Sequence, residues 1–232
     1  MEIGLNAVFI TAVLQIIAID ILLGGDNAIV IALACRRLPP KQRRLGIFWG
    51  VFGAVALRIV LIFFALQLLT LPFLKIIGGL LLLWIGIKLI LPDDDHHSEA
   101  TVTGSTHLIG AIKTIVIADA VMSLDNVIAV SAAAQGHLAL AVFGILISVP
   151  IVIWGSRFVL WLLDRFPVII LLGGALLGWV GGAMLIGDIA LQSFTADWPA
   201  YSKYFAAAIG ALLVLAIGKG IARRETPPPA VS

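Results

Sequence analysis

Seven stretches of this chain are apolar over most of their length, and nothing else constrains the fold as strongly. They run over about 8–34, 46–70, 73–91, 108–134, 138–163, 167–190 and 203–222. Each meets or approaches the roughly 20 residues of α-helix that a bilayer's hydrocarbon core requires. The expected fold is therefore an all-α polytopic membrane protein with about seven transmembrane helices. The breaks between the stretches are typical of turns: Leu38-Pro39-Pro40, Thr70-Leu71-Pro72, the polar run Asp93 to His97, Gln135-Gly136-His137 and Arg165-Phe166-Pro167. Composition agrees. Only 12% of residues are charged, about half the share of a soluble domain. A net charge of +2 carries no nucleic-acid footprint. The single cysteine, Cys35, leaves no intrachain disulfide and no multi-cysteine metal site. The start lacks the basic region of a secretory signal peptide. Ala32-Leu33-Ala34-Cys35 loosely resembles a lipoprotein cleavage site, but cleavage there would discard the acidic motif described next.

Two apolar stretches carry the same polar insertion near their centres. Asp20, Asp26, Asn27 and Arg58 recur as Asp119, Asp125, Asn126 and Arg157, each 99 positions downstream. After a four-residue slip, Pro72, Gly78, Gly79, Trp84 and Gly86 recur as Pro167, Gly173, Gly174, Trp179 and Gly181, each 95 positions downstream. Such a repeat is the first thing to look for in a chain of this kind. Each copy holds three spans, an odd number, so the copies must lie in opposite orientations, the inverted-topology arrangement of many secondary transporters. The expected organisation is a first three-helix repeat over 1–92, a cytoplasmic polar loop over 93–107, a second, inverted three-helix repeat over 108–190, and a seventh helix with a proline-rich tail over 191–232. Arg36, Arg37, Lys41, Arg43 and Arg44 crowd the first loop, which the positive-inside rule assigns to the cytoplasm. The N-terminus is then outside and the C-terminus, with Lys219, Arg223 and Arg224, inside. Lys75, near an outer end, counts slightly against this.

A charged side chain at the bilayer centre costs at least about 2.5–3.5 kcal/mol on insertion scales, so it is by default a functional-site hypothesis. Asp20, Asp26, Asp119 and Asp125, with the amides of Asn27 and Asn126, make an oxygen-rich donor set suited to Mg²⁺, Ca²⁺ or Mn²⁺ rather than to soft metals. Six residues of regular helix leave Asp20 and Asp26 about 120° from a common face. They converge only if the helix breaks between them, at Gly24-Gly25. The second copy has Ser123 and Leu124 there instead, and Asp119 and Ser123 are i, i+4 neighbours. Met122 either adds a thioether that favours Mn²⁺ or simply packs between helices. The amides either ligate or serve as interhelical glue. Arg58 lies mid-span and suits a counter-charge in the unloaded state, whereas Arg157, nearer an end, has room to snorkel. Asp93 to His97 and Glu99 suit a solvated loop better than a metal-collecting one. No Ser/His pair or His-Glu-x-x-His motif stands in a span, so an enzyme is not expected.

These residues resemble the TerC family of integral membrane proteins. The paired stretches Asp20 to Asn27 and Asp119 to Asn126 look like its signature. The segment from Leu23 to Leu38 is similar to its short, YjbE-like branch of metal transporters, grouped with the broader LysE-type exporters. The resemblance implies Mn²⁺ export from the cell, with Asp20, Asp26, Asn27, Asp119, Asp125 and Asn126 in the ion path. Gly24, Gly25, Met122, Ser123, Arg58 and Arg157 are further candidates along it. Implied partners are the divalent ion, the lipid bilayer of the plasma membrane and protons as a coupling ion. No prosthetic group and no nucleic acid are expected, and a homo-oligomer remains open. Two alternatives stand beside this: a Ca²⁺ or Mg²⁺ transporter of the same architecture, and a membrane scaffold in a metal or tellurite stress-response complex.

Overall fold

A computed structural model of the chain describes residues 7–68, 70–91, 104–134, 137–199 and 201–225, and these are helical with no strand among them. The acidic loop from Asp93 to Glu99 and the proline-rich tail lie outside the described residues. Seven long helices fall on the seven apolar stretches: α1 (Ala7–Cys35), α2 (Pro40–Phe63), α4 (Leu74–Ile90), α5 (Gly104–Ala133), α6 (Leu138–Arg165), α7 (Val168–Ile186) and α9 (Ser202–Glu225). Short pieces link them: α3 (Ala65–Leu68), a 3₁₀ turn over Ile189–Leu191 and α8 (Gln192–Thr195).

Five of the long helices are long and apolar enough to cross a membrane, and a sixth span is a bent pair in α1, Val13–Leu22 with Gly24–Cys35. At 17 residues, α4 spans about 26 Å at 1.5 Å per residue, slightly short of a typical ~30 Å core. The two segments of α1 meet at 49°. The expected break at the glycine pair thus takes the form of a bend within one helix, and a sharp kink is what a weakly propagating Gly pair permits.

The chain forms two compact units, Met1–Leu71 with Gly104–Phe166 and Pro72–Thr103 with Pro167–Ser232. In the first, α1 packs chiefly on α6 and α2 chiefly on α5, with α1 also against α5. One end of this unit is tied by Arg43, which donates to the Arg36 carbonyl at 2.7 Å and reaches Asp164 at 3.4 Å. The end of α1, the start of α2 and the end of α6 therefore meet there. Toward the opposite end, Val13, Ile16, Ile62, Val127, Val130, Leu140, Ala141 and Ile145 are buried in one apolar layer.

In the second unit α7 packs on both α4 and α9. Glycine makes this approach possible. A Cβ at Gly79 would stand 2.6 Å from the Gly181 carbonyl oxygen, and one at Gly181 would stand 2.7 Å from that of Gly79. Gly86 and Gly174 face each other's carbonyls likewise, at 3.2 and 3.3 Å. Between membrane helices, where apolar surface gains nothing by leaving lipid, close backbone packing of small residues is a principal source of attraction. The start of α4 is held by the carboxylate of Asp188. It accepts from the backbone N–H groups of Phe73 (2.9 Å), Lys75 (2.8 Å), Ile76 (3.2 Å) and Ala190 (2.7 Å). Burial pushes the Asp188 carboxyl up, but these four donors outweigh it and hold it below the ordinary carboxylate value.

Candidate cation site

The polar residues of the first unit meet where α1, α2, α5 and α6 cross. Arg58, buried on α2, is the centre. Its Nη1 donates to Asp20, its Nη2 to Asp119 Oδ1 at 2.5 Å, and its Nε to Ser123 Oγ at 3.0 Å. One guanidinium therefore joins an acid from each copy of the repeat, using the fork geometry that suits Arg to carboxylates. The Ser123 hydroxyl also donates to Asp119 Oδ2 at 3.3 Å, the i, i+4 contact the second copy predicts. Ser148 on α6 donates its single proton to Asp20, with the Ile145 carbonyl as a competing acceptor.

Asn27 is 5% exposed and gives its amide Nδ2 to Asp119 Oδ1 at 2.7 Å. That bond fixes the orientation of the amide, since the flipped form would set its oxygen against a carboxylate. Asn27 Oδ1 is then buried without a hydrogen-bond partner among the described residues, and so is Asp26 Oδ1. A buried acceptor left unpaired costs about 1–3 kcal/mol. Both acceptors belong to neighbouring residues on α1, and one of them to an amide bonded to Asp119.

The cluster borders a narrow cleft with room for about one water molecule, lined by Ile31, Val51, Ala54, Val55, Val149 and Val152 as well as by the polar groups. A smaller space lies between Asn27, Val30, Ile115 and Asp119. Every one of these apolar lining residues lies between the cluster and the end of the unit tied by Arg43. On the other side stands the dry layer of Val13, Ile16, Ile62 and Ile145. What free space adjoins the cluster lies toward the Arg43 end, and apolar packing closes the other.

Asp20, Asn27, Arg58, Asp119 and Ser123 are brought together by hydrogen bonds, and Asp26 stands close enough to feel the charges of Asp119 and Arg58. Gly24 packs into the same group, where a Cβ would lie 3.4 Å from Asn27 and 3.7 Å from Arg58. Gly25 faces open space. Met122 is buried on α5, Asn126 is half-buried there, and Arg157 is exposed on α6. Asp125 lies within α5, and its side chain is outside the described residues. No group of three or more His, Cys, Asp or Glu stands in ligating geometry among the described residues, and Arg58 lies between Asp20 and Asp119. Ser148 was not singled out from the sequence. Its signal is a hydroxyl two residues before Pro150 inside an apolar helix, where the missing proline N–H leaves one helical bond unmade.

The family model of the integral membrane protein TerC family matches residues 5–226. The uncharacterized membrane protein YjbE of Bacillus subtilis is 46% identical over 189 residues, 82% of this chain and 85% of that protein. The UPF0053 inner membrane protein YgdQ of Escherichia coli strain K12 is 27% identical over 203 residues, 81% of this chain and 83% of its own length. No solved structure matches the chain. With helices built to cross a bilayer and a family match over nearly the whole sequence, this chain is a multi-pass member of the TerC family of integral membrane proteins.

Proposed function

We propose that the protein exports divalent metal ions, Mn²⁺ foremost, by alternating access at the cluster of Asp20, Asp26, Asn27 and Asp119. The observation that carries this is the pair of buried, unpartnered acceptors, Asn27 Oδ1 and Asp26 Oδ1, beside two carboxylates already crowded around a cation. Oxygen donors of this kind suit hard divalent ions, and the family resemblance implies manganese among them. Asp125 and Asn126 complete the ligand set by the repeat, in the second half of an inverted pair.

The basic first loop puts the Arg43 end of the first unit in the cytoplasm of a plasma-membrane protein, with the N-terminus outside and the C-terminus inside. The cleft then faces the cytoplasm and the dry layer faces outward, the arrangement in which an exporter loads. Cargo entering the cleft meets Asn27 and Asp119 first. Release outward requires the dry layer to part.

The test is Mn²⁺ flux in vesicles reconstituted with wild type, Asp26→Asn and Asp119→Asn, with Ca²⁺ and Mg²⁺ as competitors and a pH gradient as a separate arm. Wild-type flux that drops at least ~10-fold in both folded variants is expected, the loss of one charged ligand being worth well over 1.4 kcal/mol. A folded wild type that moves no divalent ion sinks the proposal.

A further inference from the structure

Arg58 does more than brace the acid cluster. We infer that its guanidinium is a tethered substitute for the cargo: it fills the two-carboxylate site when no metal is bound, and must swing away before a divalent ion can be held there. The inference rests on the metal-transport proposal and deepens it by assigning a competitor inside the site.

Four observations support it. The guanidinium lies between Asp20 and Asp119, from opposite copies of the repeat, and takes an oxygen from each. Its Nε is spent on Ser123, so each of its three nitrogens has a partner. Asn27 points its amide hydrogens at Asp119 and leaves its own oxygen, nine-tenths buried, without a donor. That oxygen and Asp26 Oδ1 are acceptors which Arg58 does not reach and a bare ion could. Finally, a narrow cleft adjoins the cluster, with Ala54 and Val55 of Arg58's own helix among its walls, and widening it is the motion that release of the guanidinium requires.

The sequence repeat sharpens the point. The counterpart of Arg58 is Arg157, which is exposed, and the counterpart of Ser123 is Gly24, which has no hydroxyl to offer a guanidinium. One movable positive charge therefore serves two inward-facing acids. A purely structural pseudo-twofold brace would supply one from each copy. In the transport cycle one cation exchanges for another, a double positive charge for a single one. Metal arriving releases Arg58 from the acids, and metal leaving lets it return. The empty site is never left with two bare carboxylates facing each other, so the unloaded carrier can change its access without the cost of burying them.

The experiment titrates MnCl₂ into purified, metal-free, full-length protein and follows intrinsic tryptophan fluorescence and thermal unfolding, with flux measured in parallel. Arg58→Gln removes the competing charge and keeps a polar side chain. The expected result is at least ~10-fold tighter Mn²⁺ binding than wild type, a larger rise in melting temperature on adding Mn²⁺, and slower flux because the empty site loses the positive charge that offsets its acids. Millimolar guanidinium chloride should weaken Mn²⁺ binding to Arg58→Gln while leaving wild type unaffected. Arg58→Lys, whose compact ammonium cannot fork between two acids, covers the case where Arg58→Gln does not fold, and should bind Mn²⁺ with intermediate affinity. A wild type that transports Mn²⁺, with folded Arg58 variants that bind it no tighter, overturns the assignment of Arg58 and leaves the transport proposal standing. A wild type that neither binds nor moves any divalent ion overturns both.

Discussion

The two compact units are built from corresponding parts of one repeated sequence, yet they use the repeat in opposite ways. In the second unit the pairing is reciprocal. Gly79 meets Gly181 and Gly174 meets Gly86, so exchanging the copies exchanges one contact for the other. In the first unit the same duplication ends in asymmetry. Arg58 is buried against two acids while Arg157 is exposed, and Gly24 stands where the other copy has Ser123. The difference follows from what each contact requires. Backbone-to-backbone packing has no charge to balance, so a symmetric solution is as good as any other. A cluster of buried acids and one guanidinium must be satisfied atom by atom, and duplicating every member would bury a second positive charge where Asp20 and Asp119 already share one.

Breaking the asymmetric unit should have the largest effect. Asp119→Ala removes one partner from a buried ion pair and leaves Arg58, Asn27 and Ser123 short of an acceptor. We expect a loss of about 3–5 kcal/mol, read as a lower midpoint in thermal unfolding of detergent-solubilised protein and as abolished flux. A midpoint within experimental error of wild type would mean that the cluster is not closed as described.

Next comes the symmetric unit. Gly181→Leu drives a side chain into the Gly79 backbone, which cannot yield as the end of a flexible side chain could. Destabilisation of about 1–3 kcal/mol or more is expected. By the reciprocity of the interface, Gly79→Leu should cost a similar amount. Costs differing by more than about 2 kcal/mol would deny the equivalence, given the usual spread of core substitutions.

Asp188→Asn should be milder, about 1 kcal/mol as for the loss of a helix cap, because the amide keeps one accepting oxygen. The same residue predicts a pH dependence. Its carboxyl is held below the ordinary value in the folded protein. The stability it contributes is therefore fully present above the unfolded value of about 3.9 and is lost as pH falls through the folded one. Acid unfolding of Asp188→Asn should lack that component, which a comparison of melting curves between pH 5 and 3 would reveal. The smallest effect belongs to Gly24→Ala. Its Cβ finds only ordinary contacts, so folding should change by less than about 1 kcal/mol, and the measurement is the same melt.

Much of this was legible in the sequence. The seven stretches became seven long helices, and the i, i+4 spacing of Asp119 and Ser123 became a hydrogen bond. What could not be read was which helices would touch. Helices apolar on almost every side carry little information about the face they present to a neighbour. The division of the chain followed from contact instead: the first two helices of each repeat share one unit and the third of each joins the other. For the same reason Ser148 was invisible, since its role depends on α6 lying against α1. Arg58 was visible as a buried charge needing a partner, but its reach to both copies was not. No sequence pattern pairs Asp188 with α4, and its service to that helix from more than a hundred residues away is a tertiary fact.

The dry layer of the first unit has an electrical consequence. Were water to enter the cleft in the proposed cycle, it would carry the potential of its own side toward the acid cluster, whereas the layer from Val13 to Ile145 offers water no polar partner. The transmembrane voltage would then drop mainly across that layer, a fraction of the bilayer's thickness, and the field there would be correspondingly steep. Each elementary charge carried through it exchanges about 2.3 kcal/mol with every 100 mV. On the transport reading proposed above, a doubly charged passenger would feel the cell's voltage almost entirely in the step that opens the layer, and hardly at all while it settles among the aspartates.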